Sequence, residues 1–104
     1  MKCRVVEIMF TERCPHVRAA IDHVRAATEV VGVRDASIEV RLVLVETMRD
    51  ARKLEFLGSP TVRVDGRDVE PDVRSTMFGL HGRGYFVDGR VERAPPSAWI
   101  VHAL

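Results

Sequence analysis

Cysteine, lysine and aromatic side chains are scarce in this chain: two Cys, two Lys, and one Trp, one Tyr and four Phe in 104 residues. Two cysteines exclude a fold stapled by disulfides. No apolar run approaches the roughly 20 residues needed to span a bilayer, and Met1-Lys2-Cys3-Arg4 leads straight into a strand pattern with no signal-peptide core, so a cytoplasmic protein with reduced thiols and no membrane association is expected. Charge of one sign is also missing. Sixteen basic residues stand against fifteen acidic ones, and the fourteen arginines are scattered along the chain, which excludes the basic face that a nucleic-acid partner requires.

What is present is 46% hydrophobic and 30% charged residues without repeats or low-complexity segments, as expected for a single globular domain over residues 1–104. Cys3 to Phe10 reads as a buried strand. Val17, Ala20, Ile21, Val24, Ala27 and Val31 fall at helical spacing, with Pro15 suited to the first helical position and Gly32 to the stop. Residues 37–45 read as a second strand whose later half is buried on both faces, and strand, helix and strand imply a right-handed parallel β-α-β unit. Thr47 caps a second helix that Gly58 ends near Leu57. Thr61 to Val64 is a short strand leading to the hairpin signal Asp65-Gly66. Residues 83–87 are expected to supply the last strand of the sheet, and Pro95-Pro96 to open a terminal helix carrying Trp99 and Ile100 as core or interface residues. The expected class is α/β, with a central mixed four-stranded sheet flanked by helices in the order β-α-β-α-β-β-α.

Two spots carry the chemistry. Cys14 lies where the first strand yields to a helix, and unpaired N–H groups at a helix N-terminus favour thiolate over thiol. The position three residues on is Val17, so the Cys14-Pro15-His16-Val17 turn closes no disulfide by itself. Cys3 is separated from Cys14 by seven strand residues, roughly 23 Å at about 3.3 Å each, beyond the ~7 Å limit between disulfide-bonded Cα atoms. It reads as a semi-buried structural thiol. His16 is placed to tune Cys14 or to donate a proton to a leaving thiol; its bland reading is a solvated turn residue. The second spot is Ser59-Pro60-Thr61, between a glycine-ended helix and a strand.

Phe10-Thr11-Glu12-Arg13-Cys14-Pro15-His16 and Phe56-Leu57-Gly58-Ser59-Pro60-Thr61-Val62 together resemble the two motifs of the thioredoxin superfamily, an aromatic-then-Cys turn and a Gly-x-Pro-Thr segment. The resemblance implies a thioredoxin-like fold, a cis peptide before Pro60 and a loop facing the reactive cysteine. It also implies that Ser59, Pro60 and Thr61 bind substrate, with the Ser59 backbone pairing to an extended chain in a mixed disulfide. Within the superfamily the chain is similar to small bacterial proteins, some labelled alkylmercury lyase-like, that carry a Cys-Pro-His turn. Where many of those hold a second cysteine, this chain has Gly79-Leu80-His81-Gly82. Dithiol redox chemistry and carbon–mercury cleavage lack their second sulfur here.

The function these features point to is thiol-disulfide exchange or mixed-disulfide formation through Cys14, with His16 assisting, on a protein or low-molecular-weight thiol, and with no cofactor or metal. The alternatives are a non-catalytic binding module, homodimeric through an exposed sheet edge or the Trp99 helix, and thiolate binding of a soft metal such as mercury. A Cys14, His16, His81 metal cluster is the weakest of these, since the spacing matches no zinc pattern. His23 and His102 read as surface or packing residues, and Asp68, Glu70 and Asp72 as a solvated charged loop.

Overall fold

Nine residues at the start of the chain, Lys2–Phe10, form β1, and their alternation divides the molecule into two layers. Val6 and Ile8 are fully buried on one side and Met9 on the other. In the computed structural model, which describes residues 2–32 and 36–104, β1 pairs in parallel with β2 (Ala36–Leu44). It pairs antiparallel with β3 (Thr61–Val64). Between β1 and β2 runs α1 (Val17–Val31), which buries Ala20, Val24 and Ala27 at i, i+4 and i+7. This is the apolar stripe read from the sequence. Gly32 ends the helix as expected, its N–H donating to the Thr28 carbonyl.

The helix starts two residues later than expected. Cys14 N–H donates to Thr11 O at 3.1 Å, closing a turn, and the carbonyl of His16 is the one that receives Ala20 N–H at 3.2 Å. Pro15 also biases the residue before it away from helical angles. His16 is therefore the N-cap, although its side chain makes no capping bond.

Thr47 caps α2 (Met48–Lys53), accepting Asp50 N–H at 3.1 Å. Here the chain departs from the expected end at Leu57. Glu55 turns left-handed with φ 53°, Phe56 N–H returns to Ala51 O, and Arg63 donates to the carbonyls of Leu54 and Glu55 at 2.8 and 2.7 Å. The early stop drives Phe56 into a cluster with Met9, Val45 and Ala51 beneath one face of the sheet. On the opposite face Val6, Ile8, Val62 and Val64 join the buried stripe of α1 and Ile100 of α3 (Ser97–Ala103). The Pro95-Pro96 step opens α3 as expected. His23 Nδ1 donates to Pro95 O at 2.8 Å, tying α1 to that step.

Two strand expectations are corrected. The fourth strand of the sheet is β4 (Arg67–Asp68), not residues 83–87, and the order is β2-β1-β3-β4. Asp65 and Gly66 both have positive φ, 50° and 82°, so the two-residue turn returns the chain directly alongside β3 and takes that edge. Arg4 at 2.8 Å, then the Val5 N–H, hold the Asp65 carboxyl below its ordinary range. Tyr85–Val87 (β5) instead pairs with Arg90–Glu92 (β6) in a separate ribbon across Asp88-Gly89. The element order is thus β-α-β-α-β-β-β-β-α.

The second correction concerns β2. Val40, Leu42 and Leu44 are 47%, 59% and 42% exposed, because β2 is the outermost strand and the core of α1 lies over β1. Among the described residues, no helix is long and apolar enough to cross a membrane. The layering predicts that Phe56→Ala lowers the unfolding free energy by about 3–5 kcal/mol. Val30→Ala on the open face of α1, where Val30 is 71% exposed, stays within about 0.5 kcal/mol in the same urea titration.

Candidate functional site

The Cys14 turn leaves the end of β1 while the Ser59-Pro60 loop enters β3 beside it, with Met9 paired to Thr61. Thr11 N–H donates to Ser59 Oγ at 3.0 Å and ties the two segments together. The Ser59–Pro60 peptide is cis, as the resemblance implies. Cys14 is a half-buried free thiol. His16 follows it, partly exposed, at the head of α1.

The proline loop is held from beneath. Ser59, Pro60 and Thr61 are all buried. Thr61 Oγ1 donates to Gly58 O at 2.6 Å, and the Tyr85 hydroxyl donates to Pro60 O. Gly58 has φ 120°, and a Cβ there would come within 3.0 Å of the His81 ring and 3.1 Å of Arg83 Cβ, so only glycine fits. Ser59 also forms a short parallel bridge with Gly82: its N–H donates to His81 O and its carbonyl accepts Arg83 N–H, both at 2.9 Å. Both backbone groups that the resemblance assigns to substrate are therefore engaged within the chain.

Arg83 is the residue that sequence reading missed. Its guanidinium donates to both oxygens of Asp68 at 2.7 and 3.1 Å, to Glu70 at 2.8 Å and to Thr61 Oγ1 at 3.0 Å. Its carbon also lies 4.5 Å from the centre of the Tyr85 ring. The Arg83 and Asp68 side chains are only 6% and 7% exposed, and Glu70 25%, which overturns their reading as solvated loop charges; Asp72 remains exposed. Burial by itself pulls Arg83 down, and its bonds to Asp68 and Glu70 reverse that and hold it above its ordinary value. Burial pushes the Tyr85 phenol up. The only sequence signal was an arginine flanked by glycines after a polar excursion, and nothing in its spacing named partners 13, 15 and 22 residues away.

The other candidates separate. Cys3 is exposed rather than semi-buried: alternation puts it on the Met9 face of β1, six residues before the Phe56 cluster that covers that face. His81 is not gathered with Cys14 and His16: its Nε2 meets Leu57 O at 3.1 Å and its ring rests against Gly58 and Gly79. Among the described residues, no three His, Cys, Asp or Glu side chains converge as metal ligands. Trp99 packs its ring edge-on to Tyr85 at 6.2 Å and lies partly buried against the core.

Two outcomes follow. Arg83→Met leaves Asp68 buried and unpaired and costs about 3–5 kcal/mol. Tyr85→Phe leaves only the Pro60 carbonyl unbonded and costs about 1–3 kcal/mol, both read by urea unfolding. The raised Tyr85 pKa means the folded state keeps a proton that the unfolded chain releases above about pH 10, so stability is intact below that pH and falls as pH rises through it. Tyr85→Phe flattens this alkaline decline relative to wild type in unfolding measured across pH. No protein-family model, curated protein or solved structure matches this chain.

Proposed function

We propose that the chain is a thioredoxin-like monothiol protein that forms and releases mixed disulfides through Cys14. The observation that carries this reading is the 3.0 Å bond from Thr11 N–H to Ser59 Oγ, which couples the cysteine turn to the buried proline loop and gives the thiol a rigid setting. An open groove lined by Thr11, Glu12, Leu44, Glu46, Thr47 and Leu80 adjoins the turn and offers room for the substrate chain. In the proposed step the Cys14 thiolate attacks one sulfur of a substrate disulfide. The S–S bond breaks, a new S–S bond joins Cys14 to the substrate, and the departing thiolate takes a proton, with His16 two residues away as its donor. A small external thiol then gives its proton to His16 and attacks the substrate sulfur of the mixed disulfide, so that the bond to Cys14 breaks, the Cys14 thiolate is regenerated and the substrate leaves joined to the small thiol as a new disulfide. No second protein sulfur enters the cycle.

A second reading, a non-catalytic binding module, is favoured by one observation. The Ser59 backbone, which an extended substrate would need, is already bonded to His81 and Arg83. The two readings separate by mass spectrometry after treatment with oxidised glutathione. The monothiol reading expects a single adduct at Cys14, formed at least about tenfold faster than at the more exposed Cys3, reversed by excess thiol and lost in Cys14→Ser. Equal rates at the two cysteines, or adduct formation unchanged in Cys14→Ser, refute it.

A further inference from the structure

We infer that the outer edge of β2 is a self-association surface, on which a second copy of this chain adds its own β2 antiparallel to form one continuous eight-stranded sheet. Nine consecutive residues of β2 pair with β1, from Ala36 opposite Lys2 to Leu44 opposite Phe10, without a bulge. Among the described residues no strand pairs with the other side of β2. The strand contains no proline and no bulge, so two of the devices that ordinarily blunt a sheet edge are missing from it, and its only charges are Glu39 and Arg41. It also displays Val40, Leu42 and Leu44, all more than two-fifths exposed, next to an apolar groove formed with Ile8, Ile21 and Val24.

The charges of the strand select the occupant. With a two-fold axis through Val40, each residue faces the one whose number makes a sum of eighty. Glu39 then stands opposite Arg41 of the second copy, and Arg41 opposite its Glu39. On the other face Val40 meets Val40, while Ile38 and Leu42 meet Leu42 and Ile38 of the second copy. Directly opposed residues share a face, so the two charged positions meet opposite charges and the apolar positions centred on Val40 meet apolar ones, with Ser37 opposite Val43 the one polar–apolar pair. Moving the axis to Arg41 or to Glu39 sets like charges opposite one another, and placing it between residues sets apolar side chains against charged ones.

The match also extends a pattern already inside the sheet. Arg41 is in register with Glu7, Glu7 with Arg63 and Arg63 with Asp68, an alternation of sign across all four strands. Glu39 of the second copy continues it by one more step. Among the described residues of the single chain Arg41 pairs only with Glu39 of its own strand, and both side chains are about half exposed, 57% and 49%. Such an interface is isologous and closed, with both copies of α1 on the same side of the joined sheet. The two Leu44 positions lie about 27 Å apart along it, so the two Cys14 turns sit at opposite ends and neither copy resolves the other's mixed disulfide.

The test is sedimentation velocity across a concentration series, with circular dichroism to verify folding of each variant. Wild type and the double variant Glu39→Arg/Arg41→Glu are expected to dimerise, since both keep opposite charges across the axis. Glu39→Arg alone and Arg41→Glu alone each create two like-charge pairs and weaken the dimer about tenfold or more. An equimolar mixture of the two single variants restores it, because each then meets its complement. A wild type that stays monomeric, single variants that dimerise as tightly as wild type, or a mixture no tighter than its components overturns the proposal.

Discussion

Arg83 brings a positive charge into a region almost closed to water, and such a charge persists only where fixed partners replace its hydration. The partners come from stretches far apart in the chain: Asp68 in β4 and Glu70 just after it, Thr61 at the start of β3, and the Tyr85 ring. Satisfying one guanidinium therefore fixes where β4, the proline loop and the β5-β6 ribbon sit relative to one another. Thr61 passes the constraint to Gly58, and Tyr85 passes it to Pro60 and Trp99. Among the described residues, no buried side-chain polar atom is left without a partner. The network holds its geometry because each member has few alternatives at low cost.

The Cys14 turn is fastened to this platform by the Ser59 hydroxyl and by the pairing of Met9 with Thr61, and the thiol is half-exposed above it. In the proposed cycle the nucleophile gains from that arrangement, since a fixed loop presents a consistent surface to whatever approaches the sulfur. The same platform restricts the mode of approach. With both Ser59 backbone groups bonded to the 81–83 segment, an incoming chain has to meet the site through the groove by Thr11 and Glu12 or displace that segment. The monothiol cycle proposed for Cys14 would tolerate this restriction, because its second step would be performed by a small molecule rather than by a resolving cysteine that must swing across the site.

The sheet is asymmetric in how it is finished. On the β4 side the edge is short and carries the buried Asp68-Arg83 pair. On the β2 side nine residues run straight and open. Sign alternation along the row from Asp68 to Arg41 stops at that open edge with its sequence pattern intact, and Glu39, Val40 and Arg41 form a self-complementary unit. The charged positions of β2 on one face and its apolar positions on the α1 face thus carry the same symmetry in one strand.

The sequence by itself determined the local elements and the two conspicuous motifs. The α1 stripe, the Thr47 cap, the Asp65-Gly66 and Asp88-Gly89 turns and the Pro95-Pro96 step all act within a few residues, where periodicity, φ preference and capping decide the outcome. Tertiary structure decided whatever depended on distant partners. Residues 83–87 read as a sheet strand by composition, but the tight turn after β3 had already filled that edge with Arg67 and Asp68. The apolar run of β2 read as buried on both faces, but burial depends on which helix crosses above, and α1 covers β1. Asp68 and Glu70 read as solvated charges until a single arginine more than a dozen residues away gathered them. Side-chain chemistry was legible along the chain; its pairing across the fold was not, because attraction between charges and exclusion of water depend on distance in space, and one sequence records only distance along the backbone.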